Sequence, residues 1–141
     1  MNPGAPQAAL VALHRLTGEV LWKSAGAPAA YAAFISGQFG GRSQIVGHDA
    51  LSLGGWDPQT ARQPWSPVPH QTGDFNGPTL LDLNGRLLVT TENNGTRLYG
   101  FGADGRILKV PLAHNDAFSA DASTPVVVGV RWSGALPDCM A

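Results

Sequence analysis

Apolar and polar residues alternate along this chain in short runs, and glycine or Asx–Gly pairs separate the runs. The clearest case is Gly77 to Thr91, GPTLLDLNGRLLVTT, where Asn84-Gly85 divides two apolar stretches. A two-residue type I′ hairpin needs positive φ at both central residues, and Asn-Gly supplies it. Asn94-Gly95 and Asp104-Gly105 mark the next two turns by the same chemistry. Residues 78–110 therefore read as a four-stranded up-and-down meander, with strands at about 78–83, 86–91, 96–101 and 106–110. The chain opens on a further pair of strands, 10–13 and 19–23, around Thr17-Gly18. Pro6 to Leu16 is the one stretch with a helical look, and its fit to an internal repeat makes it strand instead.

In that repeat, Leu10 to Trp22 (LVALHRLTGEVLW) aligns with Leu53 to Trp65 (LGGWDPQTARQPW) at an offset of about 43 residues. Leu10 falls on Leu53, Thr17 on Thr60, Gly18 on Ala61 and Trp22 on Trp65. A third copy, Arg97 to Lys109, brings Gly105 to the Gly18 position but is one residue shorter before the turn and lacks the Trp. Pro78 and Pro125 head two further segments that resemble each other, so the loops between copies vary in length. Four antiparallel strands in each repeat of 40 to 50 residues is the pattern of a β-propeller blade. The expected fold is therefore all-β, a partial β-propeller of about three blades' worth. A partial blade lies at 10–24, full blades at about 30–67 and 77–112, and the start of another at 123–132. A closed propeller typically has four to eight blades, so the chain reads as a fragment of a longer one or a piece of an assembly.

Composition agrees with many short strands. Gly (18) and Pro (11) together make up about a fifth of the 141 residues, and only 13% are charged. A formal net charge of −1 carries no footprint for nucleic acid. No apolar run is long enough for a membrane-spanning helix. Met1 to Leu10 has neither the basic nor the apolar region of a secretory signal, which suggests either a cytoplasmic protein or a start inside a longer chain. Cys139 is the single cysteine, read as a free surface thiol that can form no internal disulfide and no cysteine-based metal site.

At ALHRLTGEVLW the chain resembles the repeat of the pyrroloquinoline-quinone-type (quinoprotein-like) β-propellers. That pattern has a small residue, an Asp, a Thr-Gly and a Trp four residues beyond the Gly. Ala12, Thr17, Gly18 and Trp22 match in the first copy, with His14 in place of the Asp. Gly55, Asp57, Thr60 and Trp65 match in the second, with Ala61 in place of the Gly, while the third keeps Asp104-Gly105. Trp56-Asp57 is also the signature dipeptide of another propeller class, but Gly47-His48 stands too close upstream for that pattern. The resemblance implies structural roles: Gly takes a left-handed turn conformation, and each Trp packs on the neighbouring blade and hydrogen-bonds its backbone. It also implies a non-catalytic scaffold or protein-interaction module, in the periplasm or cell envelope. Its partners would be another protein or the remaining blades of a longer chain.

The alternative the resemblance offers is a fragment of a quinone-dependent alcohol or sugar dehydrogenase. Catalytic members hold the quinone on the propeller axis between a Trp and an adjacent-cysteine disulfide, beside a calcium ion. This chain has no Cys-Cys pair, so quinone with calcium would bind only if further blades supplied the site, and no cofactor is expected from these residues. His14, His48, His70 and His114 show no metal-ligand spacing. Asp49, Asp57, Asp74, Asp82, Asp104, Asp116 and Asp121 are spread one per turn, where their carboxylates would serve the backbone. Asn94-Gly95-Thr96 is a glycosylation sequon better explained as a hairpin turn. Residues 73–77, GDFNG, precede an inner strand, so Asp74, Asn76, Glu92 and Asn93 are the candidates for an axial site.

Overall fold

The computed structural model describes residues 10–28, 30–69, 79–91 and 95–117. These residues are all-β, without a helix, in three antiparallel sheets. β1 (Leu10–Leu13) and β2 (Val20–Ser24) form a hairpin. β3 (Ile35–Phe39), β4 (Arg42–His48), β5 (Ser52–Trp56) and β6 (Trp65–Pro69) form a meander in sequence order. β7 (Leu81–Leu83), β8 (Arg86–Thr91), β9 (Gly95–Tyr99) and β10 (Ala113–Asn115) form a second.

Local turn chemistry sets the registers. Asn84 (φ 54°) and Gly85 (φ 78°) both take positive φ, and Leu83 pairs with Arg86 across them. The same two-residue geometry joins β3 to β4, where Gly40 and Gly41 lie at φ 58° and 73° between the paired Phe39 and Arg42. A side chain at Gly40 is excluded for a second reason, because a Cβ there would run into the Gly102 carbonyl oxygen.

The last strand departs from the sequence expectation. The fourth strand of the second meander is 113–115, not 106–110. After β9 the chain makes a tight turn, with Gly102 N–H donating to the Arg106 carbonyl (2.8 Å) and a lone bridge between Phe101 and Ile107. It then leaves the sheet edge through Lys109, Val110 and Pro111, which has no N–H to offer a ladder. Pairing resumes where Leu112 N–H donates to the Leu98 carbonyl (2.7 Å).

Strand alternation builds one core between the two meanders. Phe39, Val46, Leu53 and Trp65 of the first meet Leu80, Leu87, Val89, Tyr99 and Ile107 of the second. Phe101 joins them, with its ring 4.9 Å from Phe39 and 6.2 Å from Trp65, edge-on to the latter. On the opposite face of the first meander, Phe34 and Trp56 make an edge-to-face pair at 5.5 Å. Gly47 and Gly54 lie under those rings, where a Cβ would strike them. The hairpin packs on this face: Leu10, Ala12 and Trp22 confront Phe34, Ile45 and Pro58 across a gap of about 490 Å³. Leu88, Leu98 and Ala113, with Leu81, form a separate cluster on the other side of the second meander.

Candidate functional site

The seams between sheets are organised by one recurring turn. In the first copy His14 N–H donates to the Glu19 carbonyl (2.8 Å) and Gly18 N–H to the His14 carbonyl (2.9 Å). In the second, Asp57 N–H donates to Arg62 (2.8 Å) and Ala61 N–H to Asp57 (3.1 Å), the same bonds about 43 residues on. Gly18 lies at φ 74° and Ala61 at φ 60°, so the alanine adopts the left-handed conformation that its aligned glycine takes. Gly105, at φ 78°, occupies the same place in the third, shorter turn, where it bonds Gly102, three residues back rather than four.

Side chains inside the turn repeat as well. Asp57 Oδ1 accepts the backbone N–H groups of Thr60 (2.9 Å) and Gln59 (2.8 Å). Those two bonds, Thr60 foremost, hold its carboxyl below the ordinary value of 3.8. His14 takes the aspartate's part in the first copy: its Nδ1 accepts from Thr17 N–H at 3.2 Å. The other described aspartates of the turns behave alike. Asp49 Oδ1 accepts from Leu51 and Ser52, Asp82 from Gly85, and Asp104 from Arg106. Asp116 instead pairs with Arg97 at 2.9 Å.

The two motif tryptophans serve the seams differently: Trp22 hydrogen-bonds across one directly, whereas Trp65 bonds Gln44 of its own sheet, which makes the crossing bond. Trp22 Nε1 donates to the Pro58 carbonyl (3.0 Å), inside the turn of the next copy. Trp65 Nε1 donates to Gln44 Oε1 (2.8 Å), and Gln44 Nε2 passes the link on to the Gly105 carbonyl (2.7 Å) while also bonding Phe39 O (3.0 Å). Gln44 is 1% exposed. Sequence reasoning passed over it, since a polar residue in a strand ordinarily marks the solvent face.

Beside this seam lies an open cleft of about 610 Å³ lined by Arg42, Asp57, Arg62, Gln63, Pro64, Asp104 and Arg106. Its arginines were also missed in the sequence, where they stand 20 and 44 residues apart and share no motif. The axial candidates Asp74, Asn76, Glu92 and Asn93 lie outside the described residues, as do His70, Asp121 and the segment 123–132. Among the described residues no three His, Cys, Asp or Glu side chains gather in a way that could hold a metal ion. Of the described histidines, His14 belongs to the first turn, His48 is fully buried, and His114 Nε2 lies 3.8 Å from Asp116. No helix among the described residues is long and apolar enough to cross a membrane. No family model, no curated protein and no solved structure matches the chain.

Proposed function

We propose that this chain is a non-catalytic scaffold of the quinoprotein-like β-propeller kind, with each four-stranded sheet a blade and a protein partner held on its loops and seams. The observation that carries the reading is the Trp22 indole donating to the Pro58 carbonyl in the following turn. A repeat whose tryptophan ties one sheet to the next copy's backbone is a stacking device, and its chemistry is fully used in holding sheets together. The succession of left-handed residues at Gly18, Ala61 and Gly105 supports the same reading. So does the apolar surface at the hairpin, where Leu16, Val20 and Leu21 are 74%, 53% and 61% exposed and offer a face for a neighbouring blade. Under this reading the remaining blades come from further sequence or further copies, and the protein acts in the cell envelope.

Light scattering with near-ultraviolet circular dichroism tests the scaffold. A discrete closed oligomer, or a longer chain of discrete mass, with ordered tryptophan signals is the expected result. Adding quinone and calcium and following dye reduction with alcohols and sugars tests the other half. Quinone-dependent turnover would overturn the non-catalytic reading.

A further inference from the structure

Three of the seven arginines of this lightly charged chain line one cleft at the seam between the two meanders. Arg42 opens β4, Arg62 follows the second-copy turn, and Arg106 follows the third. Two carboxylates share the cleft, yet both are engaged by their own turns. Asp57 spends Oδ1 on the N–H groups of Gln59 and Thr60. Asp104 takes the N–H of Arg106 (3.0 Å) and stands 3.5 Å from the Arg106 guanidinium. Among the described residues Arg42 and Arg62 make no side-chain hydrogen bond and no ion pair within 4.0 Å, although Asp57 lies near enough to feel the charge of Arg42. Two exposed arginines thus line the cleft without a hydrogen-bond or ion-pair partner among the described residues.

We propose that this cleft binds a carboxylate side chain of an acidic peptide segment on a protein partner, with Arg42 and Arg62 as its two donors. A planar carboxylate accepts a guanidinium fork in two parallel bonds, a geometry that suits arginine over lysine. The cleft is open and its walls are exposed, which fits a side chain presented by a peptide. This deepens the interaction-module reading and rests on it.

The test is a titration of the isotope-labelled chain with a blocked tetraglutamate peptide at low salt, following the arginine Nε–H resonances. Succinate and inorganic phosphate serve as the free-carboxylate and phosphate arms. Saturable shifts at Arg42 and Arg62 are expected. Arg42→Gln or Arg62→Gln weakens binding by about tenfold or more, the loss expected for a charge-assisted bond. Arg106→Gln has a smaller effect, and Arg15→Gln, outside the cleft, has none. Binding falls in 0.5 M salt as the screening length shortens. No saturable shift at millimolar peptide would overturn the proposal, as would phosphate binding as tightly as the peptide, or an Arg15→Gln loss equal to that of Arg62→Gln. Succinate binding as tightly as the peptide would overturn the peptide assignment in favour of a free dicarboxylate. The light-scattering mass of the same samples separates the two readings: an intact assembly that ignores the peptide refutes the cleft alone.

Discussion

Replacing Gln44 by Leu should weaken the seam between the two four-stranded sheets without opening it. The side chain is 1% exposed and makes three hydrogen bonds, to Trp65 Nε1, Gly105 O and Phe39 O. Leucine preserves most of the volume, so the cavity contribution is small and the cost falls on stranded polar groups. The Trp65 N–H and the Gly105 carbonyl lose their glutamine partner, and a buried unsatisfied group costs about 1–3 kcal/mol. Two such groups, offset in part by the apolar atoms that leucine adds to the core, give an expected loss of about 3 kcal/mol. Urea unfolding followed by tryptophan fluorescence measures it, with an unchanged m-value confirming that the folded state is comparable. Trp65→Phe removes the donor from the other side, and a double-mutant cycle should show a coupling of about 1 kcal/mol or more between the two positions. A Gln44→Leu loss below about 1 kcal/mol would refute the bridging role, and additive single mutants would refute the Trp65–Gln44 link that feeds it.

The turns give three further expectations. Ala61→Gly should stabilise the chain by about 0.5–1 kcal/mol: relief of a left-handed alanine is worth roughly 1–2 kcal/mol, reduced by the added freedom of glycine when unfolded, and thermal unfolding reads the net sign. Gly40→Ala should do the reverse and more severely, since φ is positive and the new Cβ meets the Gly102 carbonyl; the same melt, compared with Gly41→Ala, where φ is also positive but no atom lies within reach, isolates the clash. Asp57 should titrate below 3.8 by carboxyl-carbon NMR. Because its folded value lies below its unfolded one, its contribution to stability is present above pH 3.8 and disappears as pH falls through the folded value, and Asp57→Asn should lose that acid dependence.

The features legible in the sequence were those that a few adjacent residues decide. Asn84-Gly85 turned where expected because both φ values come from the residues themselves. Asp49, Asp57, Asp82 and Asp104 serve neighbouring N–H groups within three positions, so their turn-forming role was legible without any fold. Ala61 was not legible in this way: the sequence aligns it with Gly18, but nothing in an alanine marks a left-handed turn, and its φ of 60° emerged only in the structure. The strand expected at 106–110 failed for a related reason. Asp104-Gly105 does turn the chain, but Lys109-Val110-Pro111 then passes out of the ladder before Ala113 rejoins it.

Whatever depends on which sheet lies against which was closed to local reading, and the third turn shows why. The first two turns close over four residues, and Trp22 finds a backbone carbonyl in the second of them directly. The third closes over three, and the indole of Trp65 reaches it only through Gln44, a residue 61 positions before the carbonyl it bonds. In the sequence the third copy looks merely worn, with a missing Trp and a shortened loop. In the fold, a glutamine of the first meander links Trp65 to the carbonyl of Gly105 in that turn, so this seam also carries a hydrogen bond, made by different parts. The same seam brings Arg42, Arg62 and Arg106 to one cleft. Without an acceptor at position 44 the buried Trp65 N–H would be left unbonded, so the hydrogen bond at this seam depends on a polar residue that lies in neither turn.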